Sequence, residues 1–115
     1  MPADDLHVHE EALGAAHLIA AVGEIDHMTA RVLADALRRV TLAGQGNVVL
    51  DMTDTTFIDS AGISTLLNGL RRLTRQRRKM VVVCPPGSPR RVFEVLGLIG
   101  TFELVDTREE AAVGG

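Results

Sequence analysis

The chain has 115 residues, a formal charge of −3, 46% hydrophobic residues and 3% aromatics with no Trp or Tyr, which fits one domain whose core rests on Val, Leu, Ile, Ala and Met. Scarce aromatic rings exclude the base-stacking platform of single-strand nucleic-acid binders, and a lone cysteine, Cys84, excludes an internal disulfide and a thiolate cluster and points to a reducing, cytoplasmic compartment. No run approaches the ~20 apolar residues of a membrane span, and Pro2, Asp4 and Asp5 are unlike the basic start of a secretion signal.

Leu6-His7-Val8-His9 alternates and predicts an edge strand, Ala16 to Val22 a second, with Gly14 in a hairpin connection between them. His7 and His9 share a face, but a zinc site needs at least three protein ligands, so they read as exposed strand residues. After Gly23-Glu24-Ile25-Asp26, residues Thr29 to Thr41 carry Val32, Leu33, Ala36, Leu37 and Val40 at helical spacing, with Arg31, Asp35, Arg38 and Arg39 for the outer face. Gly44-Gln45-Gly46-Asn47 breaks that helix, and Val48-Val49-Leu50 reads as a strand buried on both faces.

Met52 to Thr56 reads as a polar connection into the short apolar strand Phe57-Ile58, after which Asp59-Ser60-Ala61-Gly62 opens a helix with Ile63, Leu66, Leu67, Leu70 and Leu73 along one stripe. Arg71 to Lys79 holds six of the twelve basic residues, leaving six basic against fifteen acidic residues elsewhere. That cluster reads as a solvated helix end whose cations complement the dipole. Met80 to Val83 is the next strand, stopped by Pro85-Pro86-Gly87.

Ser88 then has the character of an N-cap and Pro89 of a first helical residue, with Val92, Phe93, Val95 and Leu96 as a core face and Gly97 as a C-terminal cap. Phe102 to Val105 predicts a last strand, and Thr107-Arg108-Glu109-Glu110 has the spacing of a capping box for a short final helix. The order β-β-α-β-α-β-α-β-α predicts an α/β domain over residues 1–115, with its core at about 6–112. It has a mostly parallel mixed sheet, an N-terminal hairpin and about four helices.

Four carboxylates, Asp26, Asp51, Asp54 and Asp59, fall at strand ends that converge on one sheet edge, which admits a hard-cation site or simply turns and caps. No metal or cofactor is assigned. Ser60 at a helix N-terminus suits an added phosphate, and suits equally an N-cap that satisfies free amides. Catalysis by Ser60 lacks a Gly-x-Ser-x-Gly elbow, and the four His residues all lie within the first 27 positions. Ser88-Pro89-Arg90-Arg91 could hold an anion, and Asp51 after an apolar strand could be the phosphoacceptor of a receiver-like domain. The latter reading lacks a lysine after the last strand, since Lys79 is the only one.

Gly23-Glu24-Ile25-Asp26-His27-Met28-Thr29-Ala30 and Phe57-Ile58-Asp59-Ser60-Ala61-Gly62-Ile63, in this order and separation, resemble the STAS-domain family of anti-sigma-factor antagonists. The resemblance extends through Met80 to Cys84 and Val92 to Leu98 and covers about Leu6 to Ala112. It implies a single STAS domain that is not an enzyme. It places Ser60 where the family is phosphorylated by a serine kinase that doubles as the anti-sigma factor, with a PP2C-type phosphatase resetting the modified form. Asp26, Asp59, Ser60, Ala61, Gly62 and Ile63 are then the expected partner-binding residues, with no direct nucleic-acid or membrane partner. Many relatives carry a second hydroxyl where this chain has Ala61 and a glycine where it has Ser64. Related STAS modules also act as unphosphorylated scaffolds or subunits.

Overall fold

In the computed structural model, which describes residues 6–114, strands β1 (His7–Leu13) and β2 (Ala16–Ile25) form an antiparallel hairpin. It pairs Leu13 with Ala16 across a turn in which Gly14 takes φ 61. The left-handed backbone there suits a residue without Cβ. Helix α1 (Ala30–Leu42) crosses to β3 (Val48–Asp51), which lies parallel to β2. Helix α2 (Ser60–Arg75) leads to β5 (Met80–Val83) beside β3, and α3 (Ser88–Val95) leads to β6 (Glu103–Val105) beside β5. The chain ends in α4 (Arg108–Gly114).

The short strand expected at Phe57-Ile58, absent from the expected order of elements, is present and begins two residues earlier, inside the expected polar connection Met52 to Thr56. Thr55–Ile58 is β4, running parallel to the end of β2 beyond an irregularity at Gly23/Glu24 and lying off the main order β1-β2-β3-β5-β6. Two consecutive threonines carry too little apolar periodicity to announce the start of the strand, and pairing with β2 supplies what the pattern lacks. The polar Thr55 hydroxyl is buried and donates to the Ala21 carbonyl at 2.7 Å, which ties β4 to β2 through a side chain as well.

The alternating faces of the sheet divide the interior in two. On one, Ile19, Ala21, Val48, Leu50 and Val82 meet Leu33, Leu37, Ile63, Leu66, Leu73 and Phe93 from α1, α2 and α3. On the other, Leu18, Ala20, Val49, Val81 and Val83 are covered by Ala111 of α4. The expected capping box is present: the Glu110 carboxylate accepts the Thr107 N–H at 3.1 Å, and the Glu110 N–H donates to the Thr107 hydroxyl at 3.2 Å.

The basic run is not all solvated. Arg78 is 6% exposed and its guanidinium donates to the carbonyls of Val40 (2.9 Å), Thr41 (3.3 Å), Gln45 (3.1 Å) and Gly46 (2.6 Å) and to Gln76 Oε1 (2.6 Å). It therefore closes the C-terminal end of α1, whose last carbonyls have no partners within the helix. To deliver it, Arg77 adopts φ 59, and the N–H groups of Arg77 and Arg78 bond the Thr74 and Leu73 carbonyls in a Schellman turn. Helix α3 ends the same way with Gly97 at φ 69, but its N-cap is Gly87 and Ser88 is already helical, so the expected Ser88 cap is displaced by one residue. Its core face is also narrower than expected: Phe93 is buried against Phe102, whereas Val95 is 77% and Leu96 50% exposed.

Candidate functional site

Ile25 and Ile58 are partners at the ends of β2 and β4, so the residues that follow them, Asp26 and Asp59, leave the sheet side by side. Asp26 Oδ1 accepts the N–H groups of Met28 (2.9 Å) and Thr29 (3.0 Å), and the Thr29 hydroxyl donates to the Glu24 carbonyl at 2.7 Å, which folds this turn tightly into α1. Those backbone donors, Met28 first and then Thr29, hold the Asp26 carboxyl below its ordinary value. Asp59 is extended (ψ −173) and caps α2: Oδ1 accepts the Gly62 N–H at 3.1 Å, while Oδ2 accepts the His27 N–H at 3.2 Å. One carboxylate thus ties the β2–α1 turn to the start of α2.

Because Asp59 is the cap, Ser60 is the first helical residue and its hydroxyl is not the capping group. Ser60 is exposed, Ala61 half-buried, and Gly62 and Ile63 are buried. Of the expected partner-binding residues, Gly62 and Ile63 thus face the interior of the domain. A Cβ on Gly62 would lie 2.6 Å from Ile58 Cγ1 and 2.8 Å from Ile25 Cγ2, so the missing side chain lets the first turn of α2 seat on β2 and β4. Ser64, one turn further along, is exposed as well.

Ser60 borders a groove of about 390 Å³ whose other walls are Ser88, Arg91, Val92, Val95 and Leu96 of α3. The exposed Met28 lies in the Asp26 turn and the half-exposed Phe57 on β4, against which α3 packs. Helical spacing alone places Val92, Phe93, Val95 and Leu96 on a core face, whereas Val95 and Leu96 are exposed along this groove. Its one advance signal was that four apolar residues in and just after an eight-residue helix exceed what one face can bury.

Of the four carboxylates, Asp26 and Asp59 serve a turn and a cap, and Asp51 stands apart from them. Asp51 lies on the α4 face of the sheet, where it is 5% exposed and accepts Thr53 Oγ1 and Arg108 Nε, each at 2.5 Å. Burial pushes its carboxyl up, but the Thr53 hydroxyl, Arg108 and the Thr53 amide outweigh burial and leave it below its ordinary value. A carboxylate sealed by an arginine and a threonine is unavailable to a phosphoryl donor, which removes the receiver-like reading. Asp54 is exposed at the turn into β4, and among the described residues no group of three or more His, Cys, Asp or Glu is placed to hold a metal ion.

Cys84 is buried. That burial pushes its thiol up to about 11, with Arg90 opposing and Asp106 adding, so it is not a thiolate at neutral pH. No helix among the described residues is long and apolar enough to cross a membrane.

The curated anti-sigma-F factor antagonist RsfB of Mycobacterium tuberculosis is 32% identical to the chain over 92 residues, which cover 80% of the chain and 75% of RsfB. The crystal structure of an anti-sigma factor antagonist from Mycobacterium paratuberculosis superposes with a TM-score of 0.90 at 26% identity, covering 98% of this chain and 96% of that one. The phosphorylated form of the Bacillus cell fate determinant SpoIIAA shares the fold, with a TM-score of 0.70 at 22% identity over 91% of this chain and 96% of its own. The family model for the STAS domain matches residues 8–111. The chain therefore belongs to the STAS domain family.

Proposed function

We propose that this STAS domain is an anti-sigma-factor antagonist: it binds an anti-sigma factor that is also a serine kinase, releases the sigma factor, and is switched off by phosphorylation of Ser60. The observation that carries this reading is the division of labour at the start of α2. Asp59 does the capping, which leaves the adjacent Ser60 hydroxyl exposed and free to react. The names of the relatives, antagonists of anti-sigma factors, supply the partner class.

In the modification, Ser60 Oγ attacks the γ-phosphorus of ATP held by the kinase, ADP leaves, and the hydroxyl proton passes to a base of the kinase. A phosphoserine carries about −1.5 to −2 charge. At the N-terminus of α2 the dipole stabilises that charge by ~0.3–1 kcal/mol, so the modified domain stays folded. Beside Asp59 and Asp26, however, it turns the docking surface strongly anionic. The surface comprises the Asp26 turn, Ser60, Ala61 and the exposed apolar residues of α3, with Gly62 and Ile63 supporting it from within. A PP2C-type phosphatase restores the hydroxyl. The domain itself performs no catalysis and works in the cytoplasm, where Cys84 stays reduced.

The test is incubation of the chain with candidate anti-sigma kinases and ATP, followed by phosphosite mapping and by binding measurements before and after modification. Acid-stable phosphate on Ser60 and loss of kinase binding are expected. Ser60→Ala should bind without being released, and Ser60→Asp should bind at least about tenfold more weakly, the equivalent of ~1.4 kcal/mol. Phosphate mapped to Ser64, or Ser60→Asp binding as tightly as wild type, would overturn the assignment.

A further inference from the structure

The groove beside Ser60 is apolar along α3 except for one cation, Arg91, which lines it together with Ser60 and Ser88. The two adjacent arginines of α3 have different employment. Arg90 is committed: it donates to the Asp106 carboxylate at 2.7 Å and to the Cys84 carbonyl at 3.0 Å. Arg91 is exposed and makes no ion pair among the described residues, its helical neighbour Glu94 included. A phosphate on Ser60 would have Asp59 immediately before it and the Asp26 turn alongside, two carboxylates that oppose it. Arg91 is the one cation that lines the groove with Ser60.

We propose that Arg91 is the intramolecular counter-ion of phosphorylated Ser60, drawing the phosphate over the groove and roofing Val92, Val95 and Leu96. This rests on Ser60 being the phosphorylated residue. Phosphorylation then acts twice: it adds charge to the docking surface and it withdraws the apolar wall of α3 from the partner. A guanidinium suits the task, because its paired N–H groups match two phosphate oxygens. The phosphate is tethered, so a single contact suffices where a free anion would need several. Unmodified, the same Arg91 leaves the groove open.

The experiment uses the full chain with phosphoserine inserted at position 60 during translation, so that no kinase is required, in wild-type and Arg91→Gln forms. Phosphorus NMR against pH reads the second ionisation of the phosphate. The carboxylates of Asp26 and Asp59, His27, Glu94 and Arg90 are the same in both proteins, so their influence cancels in the comparison. The expected result is a second ionisation ~0.5 pH unit lower in wild type than in Arg91→Gln, because a nearby cation favours the dianion.

The Val95 and Leu96 methyl resonances should also move on phosphorylation in wild type and much less in the variant. Coincident titration curves, or a shift produced by Arg90→Gln and not by Arg91→Gln, would overturn the proposal. A kinase that never modifies Ser60 would instead sink the functional reading and leave this NMR result standing.

Discussion

Replacing Gly62 with Ala isolates the packing that presents Ser60. The added Cβ would sit 2.6 Å from Ile58 Cγ1, 2.8 Å from Ile25 Cγ2 and 3.1 Å from the Ile25 carbonyl oxygen. All three neighbours belong to buried strand residues, so relief requires moving either the sheet end or the first turn of α2. Overpacking of this kind costs about 1–3 kcal/mol. Ala is better than Gly within a helix by up to ~1 kcal/mol, which offsets part of the cost.

The net expectation is destabilisation by about 1–2 kcal/mol, read as a fall of roughly 0.5–1 M in the urea midpoint at an unchanged slope. Gly69→Ala is the internal comparison. There the new Cβ meets only the side-chain tips Leu37 Cδ1 at 3.1 Å and Met80 Cε at 3.4 Å. These tips can give way, so helix propensity and crowding should cancel to within about 0.5 kcal/mol. A Gly62→Ala protein as stable as wild type, or less affected than Gly69→Ala, would refute the close-seating argument. In the folded fraction of Gly62→Ala, displaced Ser60 should be phosphorylated more slowly.

Arg78→Ala should cost about 2–4 kcal/mol in chemical denaturation, because it strands the end carbonyls of α1, whereas the exposed neighbour Lys79→Ala should stay within about 0.5 kcal/mol. Arg77→Gly should raise stability by about 0.5–1 kcal/mol, since φ 59 penalises a side chain and not a glycine. Asp51→Asn should cost about 1–3 kcal/mol at neutral pH. The folded Asp51 carboxyl lies below its ordinary value of 3.8, so the ionised group stabilises the fold above that pH and stops doing so as pH falls through its lower folded value. The gap between wild type and Asp51→Asn should therefore close in acid denaturation only below about pH 4. Leu96→Asp, on an exposed position, should leave the urea midpoint almost unchanged and yet weaken kinase binding by calorimetry at least about tenfold.

Periodicity made much of this fold legible. Of the stripe Ile63, Leu66, Leu67, Leu70 and Leu73 in α2, Ile63, Leu66 and Leu73 are buried and Leu67 and Leu70 partly so, and the unalternating Val48–Leu50 and Met80–Val83 are the inner strands. Of the candidate site, the adjacency of Asp26 and Asp59 followed from motif order, and each carboxylate does hold a turn. Of β4 only the apolar end Phe57-Ile58 was legible, because Thr55 and Thr56 acquire their strand identity from pairing with β2. Nor was the fate of the apolar residues in and after α3. Their spacing marks an amphipathic helix but does not say how wide a face the sheet will cover, and Val95 and Leu96 fall outside it.

Most elements and the local chemistry of their ends are written in local pattern, because both depend on residues a few positions apart: the helix stripes, the Thr107–Glu110 box, and a serine at the start of α2. How those ends are used depends on the packed fold. Asp51 is neutralised by Arg108, 57 positions away, and Arg78 closes a helix 38 positions earlier. Ser60 and Arg91 line one groove that exists only once α3 has packed on β4. Partner choice among charged groups depends on which groups the folded sheet brings together, and that distance is not written in local pattern.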